Sequence, residues 1–285
     1  VPSPVTIPAG QVSTTTSVTH GGTASLPCST SIAASVTGIT GDTVSVTVNP
    51  PPTLSVNANT VRVGAGLQYG AYSVSLSTPA PAGGVTVTLA NSNPTILKLA
   101  PDATTPGTNT LTFNLTAGQG SATFFLQGVE GQSGTATLTA SAPGYTDSSP
   151  ATVTVAPVAL ALTNVPSSTT TLAANSPFQV YLGALNAAGT GFYAEQAIRV
   201  GGSAVTTTVS LVNSSPAGVA QLVTTAGADT SRTVTIAVGQ SRSPGTVATG
   251  GVAFDPLLAG TVDVQATAAG IVSLPAATQG VTVNP

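Results

Sequence analysis

Side chains able to do chemistry are few in this sequence of 285 residues, and their spacing keeps them apart. The single histidine, His20, stands in the turn-like run Thr19-His20-Gly21-Gly22 with no serine elbow of the G-x-S-x-G kind anywhere in the chain. Nucleophilic catalysis needs a base held beside the nucleophile, so the many serines and threonines read as surface hydroxyls. The lone Cys28 can form neither an internal disulfide nor a thiolate cluster and reads as a small buried apolar residue. Eight acids remain: Asp42, Asp102, Glu130, Asp147, Glu195, Asp229, Asp255 and Asp263. They fall in different stretches, mostly turns, whereas glycoside chemistry needs two carboxylates facing one bond. There is also no tryptophan to serve as a sugar platform. Calcium requires several clustered oxygens, and the nearest approach, Asp255 with Asp263, is interrupted by Pro256-Leu257-Leu258. The expectation is a non-enzymatic protein with no catalytic residues, no cofactor and no metal.

The basic side chains are Arg62, Lys98, Arg199, Arg232 and Arg242, scattered singly. No basic stripe exists to neutralise phosphates, so nucleic acid is excluded as a partner. Charged residues make up 5% of the chain, against about 25% in ordinary soluble domains. Low charge can signal a membrane segment, but a spanning helix needs about 20 consecutive apolar residues. Here Thr, Ser, Gly or Asn interrupts every apolar run far sooner, so no membrane span is expected. Disorder is favoured by low hydrophobicity and high net charge; this chain is 41% hydrophobic with a net charge of −3 and should fold.

The elements that would carry these side chains are strands. Valine and threonine dominate, and both are stiff at χ1 and favour the pleated sheet. Apolar and hydroxyl residues alternate through Ser121–Gln127 and Thr135–Ala140, the period of a half-buried strand. Glycine and proline clusters separate such runs as turns, and no apolar stripe of helical period appears.

Three stretches share a phrase: VTIPAGQ at Val5–Gln11, FNLTAGQ at Phe113–Gln119 and VTIAVGQ at Val234–Gln240. Each is followed by a small-residue stretch ending in glycine (Thr30–Gly38, Gly134–Gly144, Gly260–Gly270) and a closing strand ending in proline (Val44–Pro50, Ala151–Pro157, Gly280–Pro285). Self-similarity at a regular interval implies tandem copies of one module. Residues 51–157 and 158–285 each have the length of a two-sheet sandwich with Greek-key connections. In the first, strands are expected at 53–56, 70–77, 85–89, 96–99, 110–115, 121–127, 135–140 and 151–155. Its expected core is Val74, Leu76, Val87, Leu89, Leu97, Phe113, Leu115, Phe124, Leu126, Leu138 and Val153. In the second, strands are expected at 178–182, 205–211, 233–237, 251–254, 261–266 and 280–283, with an excursion around Gly189–Arg199. Residues 1–50 match only the C-terminal half of a module. Such a half, incomplete or complemented, leaves an apolar face and a sheet edge open. It fits an excerpt of a longer array, a degenerate copy packed on its neighbour, or a module completed by strands of another subunit. With no initiator Met or leader-like opening, the chain reads as a processed or partial product of something longer.

At these phrases the sequence resembles the immunoglobulin-like repeat domains of large bacterial secreted and surface proteins. The resemblance is closest over Leu111–Tyr145, through TAGQ, GTATLTAS and APGYTD, and looser in the other copies. It implies an all-β chain of tandem immunoglobulin-like β-sandwich modules arranged end to end, located outside the cell or on its surface. The role implied is that of a spacer, stalk, adhesin shaft or filament subunit, with no catalytic residues. Lysine–asparagine isopeptide crosslinks occur in some such proteins, and Lys98 is the one lysine that could form one. Glycosylation sequons stand at Asn114 and Asn213.

The lack of charge carries its own implication. Sheets commonly guard their edges with lysine, and one lysine with four arginines cannot guard this many strands. Self-association, by strand addition between copies, is therefore expected. The alternative is an adhesin or carbohydrate-binding module with Phe192 and Tyr193 as its contact site. Five tyrosines dispersed along the sequence favour the structural reading.

Overall fold

The computed structural model describes residues 4–19, 22 and 25–285; His20 lies outside them. The chain divides into two compact units, Val1–Pro52 and Thr53–Pro285.

Among the described residues of the first unit the regular structure is one antiparallel hairpin, β1 (Cys28–Val36) and β2 (Ile39–Val48). Its register pairs Cys28 with Val48, Thr30 with Val46 and Ile32 with Val44. Facing partners share a side of the sheet. One face therefore carries Cys28, Thr30, Ile32, Ala34, Val44, Val46 and Val48, with Asp42 at its turn end, and the other carries Ser29, Ser31, Ala33, Thr43, Ser45 and Thr47. None of the described residues in this unit is buried. Ile39 and Val44 are 70% and 59% exposed.

The second unit holds two sandwiches. The first contains β3 (Leu54–Val56), β4 (Val61–Gly64), β5 (Leu67–Leu76), β6 (Val85–Asn91), β7 (Leu97–Ala100), β8 (Thr110–Leu115), β9 (Ser121–Gly128), β10 (Gly134–Ser141) and β11 (Ala151–Ala156). The second begins with β12 (Val158–Thr163), β13 (Ser168–Thr170), β14 (Ser176–Leu185), β15 (Phe192–Glu195), β16 (Ala197–Ile198) and β17 (Val205–Ser215). It continues with β18 (Ala220–Thr224), β19 (Gly227–Asp229), β20 (Ser231–Ile236), β21 (Val252–Pro256), β22 (Gly260–Thr267), β23 (Val272–Ser273) and β24 (Thr278–Asn284). The chain is thus all-β, built from immunoglobulin-like β-sandwiches.

The two sandwiches share one strand order. The sheet β4-β11-β10-β6-β8 of the first corresponds to β13-β24-β22-β17-β20 of the second, and β3-β5-β9-β7 corresponds to β12-β14-β21-β18. In both, the short edge strand runs parallel to the last strand: β4 to β11, and β13 to β24. The shared phrase has a physical reading as well. Gln11, Gln119 and Gln240 each donate a backbone N–H at 3.0 Å to the carbonyl three residues back. The glycine between has φ of 82°, 82° and 81°, which is what a type II turn demands at that place.

Alternation along β10 and β11 sends Ala136, Leu138, Val153 and Val155 inward against Val74, Leu97, Phe124 and Leu126 of the facing sheet. Burial of such side chains contributes about 1.5–3 kcal/mol each. Phe113, expected in this core, is only half-buried and packs against its margin, while Leu111 and Leu115 on the same strand are buried. The second core gathers Leu160, Phe178, Leu182, Phe254 and Val264, and it also takes in Leu67 from the start of β5. The cores therefore meet where the sandwiches join.

Candidate contact site

Side chains that could perform reactions stay dispersed. Among the described residues no three of His, Cys, Asp and Glu gather as metal ligands. Asp255 accepts from the Gln221 side-chain amide at 2.7 Å, and Asp263 accepts from that of Asn213 at 2.7 Å. They sit on β21 and β22, which belong to different sheets. Lys98 donates its ammonium to Asn109 Oδ1 at 2.6 Å in an exposed pair. Among the described residues no carboxylate is bonded to either partner. Asn114 and Asn213 are both exposed; Asn114 Oδ1 accepts from Thr86 Oγ1 at 3.0 Å. No described helix is long and apolar enough to cross a membrane, which says nothing of a β-barrel.

The excursion expected around Gly189–Arg199 is where the two sandwiches meet. Its strand β15 pairs with β14 of its own sandwich, whereas β16 pairs antiparallel with β5 of the other, setting Ala197 opposite Gln68 and Ile198 opposite Leu67. Gln196 lies between these strands and is buried to 2% exposure. Its amide accepts from the Gly64 backbone N–H at 2.8 Å and donates to the Arg62 carbonyl at 2.8 Å. It thereby occupies the free side of β4 as a neighbouring peptide group would, satisfying edge groups that burial would otherwise penalise. Arg62 returns a bond from Nε to the Leu185 carbonyl at 2.9 Å. Arg199 donates its N–H to the Gly66 carbonyl at 3.0 Å, and Glu130 accepts from the Ser203 N–H and hydroxyl.

Beside this seam, two irregularities gather aromatic rings. Strand β5 shifts register against β9 between Tyr69, opposite Leu126, and Tyr72, opposite Phe124. Three residues apart on a regular strand, these tyrosines would point to opposite faces. The extra residue of the bulge restores them to one side. The opposite face at this point is filled by the Phe125 ring, which lies over Gly70; a Cβ there would stand 2.4 Å from Phe125 Cδ1. The second irregularity lies in β15, where Ala194 faces Ala184 but Phe192 faces Leu185, leaving Tyr193 as the unpaired residue. Tyr193 is 42% exposed, and its ring meets Tyr69 edge-to-face at 6.2 Å and 84°. Tyr69 in turn meets Tyr72 at 5.9 Å and 74°. Three of the five tyrosines, separated in sequence, thus form one patch drawn from both sandwiches.

Phe192 points elsewhere. Its ring lies against Tyr181 at 5.0 Å, and Arg242 sits over the Tyr181 ring at 5.4 Å. Arg242 donates two bonds to Glu195, at 2.8 and 2.7 Å, and Ser241 adds a third at 2.6 Å. The bond from Arg242 holds the Glu195 carboxyl below its ordinary range, and the same bond raises the guanidinium's. The patch itself is uncharged. Burial pushes the Tyr72 phenol above the ordinary tyrosine range, and the neighbouring Tyr193 and Tyr69 push it further. Among the described residues, none bonds to the hydroxyls of these three tyrosines; Tyr193 is exposed, whereas Tyr69 and Tyr72 are half-buried against the first core. By contrast, the Tyr145 hydroxyl donates to the Thr78 carbonyl at 2.9 Å. Sequence reading singled out Phe192 and Tyr193 together. The structure separates them onto different aromatic groups and adds Tyr69 and Tyr72, whose common facing no sequence spacing announces.

No protein-family model and no curated relative matches this chain. Among solved structures, the adhesin InvE of Yersinia pseudotuberculosis is 16% identical with a TM-score of 0.31, the match covering 82% of this chain and 59% of InvE. Domains 4–9 of the surface layer protein SbsC are 16% identical at a TM-score of 0.29, covering 90% of this chain and 35% of that one. Invasin, a bacterial integrin-binding protein, is 16% identical at 0.29, covering 81% and 39%. The chain spans less than two thirds of each of these three structures, and likeness at this level assigns no activity.

Proposed function

We propose that this protein is a non-catalytic structural element, a subunit or shaft of an extracellular filament, stalk or surface layer, and that copies associate through the N-terminal hairpin. One observation carries the reading: a hairpin with one mostly apolar face, and no buried residue among those described, is joined to a unit whose two sandwiches are locked by a shared sheet. A hairpin alone is marginal in water, and the apolar part of its open face, Cys28, Ile32, Val44, Val46 and Val48, gains from burial against another surface. The low charge opposes such association weakly. The locked sandwiches supply the stiffness that a load-bearing element needs. Dispersed acids, each already bonded or standing alone, support the absence of catalysis.

Sedimentation velocity over a wide concentration range tests the proposal. The native chain forms larger species as concentration rises, and Ile32→Asp, which sets a carboxylate in the middle of the apolar part of that face, shifts the distribution to monomer. A native chain that sediments as a single monomeric species at all concentrations would overturn it.

A further inference from the structure

We propose that the patch of Tyr69, Tyr72 and Tyr193 is a binding site for a neutral saccharide. Two strand irregularities, one in each sandwich, are needed to assemble it. Bulges re-aim side chains and recur beside functional sites, and here both serve the same three rings. A half-buried tyrosine ordinarily finds a partner for its hydroxyl, as Tyr145 does. Among the described residues these three leave theirs unpaired, on rings linked edge to face through Tyr69.

The chemistry selects the ligand. A pyranose presents a face of weakly positive C–H groups, which a negatively polarised ring face attracts, and a rim of hydroxyls. The patch offers both complements, rings and free phenols, at little conformational cost because a tyrosine has two side-chain torsions. Fixed charge would favour an ionic ligand, but Glu195 and Arg242 neutralise each other. An extended peptide fits less well. It would have to add along the free edge of β5, which is closed at one end by β3 pairing with Leu76–Val74 and at the other by β16 pairing with Gln68–Leu67. The bulge breaks the ladder between them.

The test is titration of the full chain with cellohexaose, xylohexaose, laminarihexaose and mannohexaose, followed by calorimetry and by tyrosine emission, which no tryptophan obscures. At least one sugar binds with a dissociation constant below roughly 5 mM. Tyr193→Ala weakens it about tenfold. Tyr72→Phe, which keeps the ring and removes only the hydroxyl, weakens it about threefold. Tyr145→Phe leaves it unchanged. Melting curves of all three variants show that the fold is retained. Silence towards all four sugars would overturn the assignment, as would affinities unchanged in both patch variants. A proline-rich decapeptide that perturbs the tyrosine emission where no sugar does would overturn it too, making the patch a peptide site.

Discussion

Gln196 and Gly64 belong to different sandwiches, and the side-chain oxygen of the first accepts the backbone N–H of the second at 2.8 Å, out of contact with water. This bond and its companion to the Arg62 carbonyl finish the edge of β4. Gln196→Leu keeps the volume and leaves both backbone groups without partners. The expected loss is about 2–4 kcal/mol, read as a lowered denaturation midpoint. An unchanged midpoint would mean that the seam does not depend on this side chain.

Gly70 is required by what lies above it. The Phe125 ring occupies the place of a Cβ, so Gly70→Ala should cost about 1–3 kcal/mol by overpacking. In a Phe125→Ala background the same substitution should cost far less, and a double-mutant cycle measures the difference. Equal costs in both backgrounds would contradict the contact.

The Glu195–Arg242 pair gives a pH dependence of known sign. The folded-state value of Glu195 lies below its unfolded one. Its contribution is therefore complete above the ordinary glutamate range and is lost as pH falls through the depressed folded value. The pair is partly exposed, so screening limits the contribution to less than about 1 kcal/mol. Glu195→Gln should flatten the acid limb of the stability profile by that amount and leave the neutral region nearly level.

At the alkaline end, Tyr72 should ionise above the ordinary tyrosine range, chiefly because it is partly buried. Because its proton is held more tightly in the folded state, stability falls as pH rises above the ordinary tyrosine range. Ultraviolet titration of phenolate should show one late step that disappears in Tyr72→Phe. A titration with no late step would contradict the burial of the Tyr72 phenol beside its two neighbours.

Much of the fold is legible in the sequence, for identifiable reasons. Strands such as β9 and β10 alternate because one face is buried and the other wet, and the glycine of each TAGQ-like phrase marks a turn that only a positive φ closes. Strand β12 escapes this reading. Val158–Leu162 is buried throughout, since Val272–Ala277 pairs and packs along it, and a run buried on both faces shows no alternation. Short strands β4, β13 and β16 exist only because a distant partner lies beside them, so local pattern cannot announce them. The tyrosine patch is hidden for a related reason. Spacing places Tyr69 and Tyr72 on opposite faces of a regular strand, and a register shift set by β9 is what reunites them.

The most direct test of the structural account is amide hydrogen exchange followed along β1 and β2 as concentration is raised. Protection of the Cys28–Val36 and Ile39–Val48 amides should rise steeply with concentration, while that of the core strands β10 and β22 stays constant. Exchange of the hairpin that is equally fast at every concentration would contradict the claim that copies of this protein meet there.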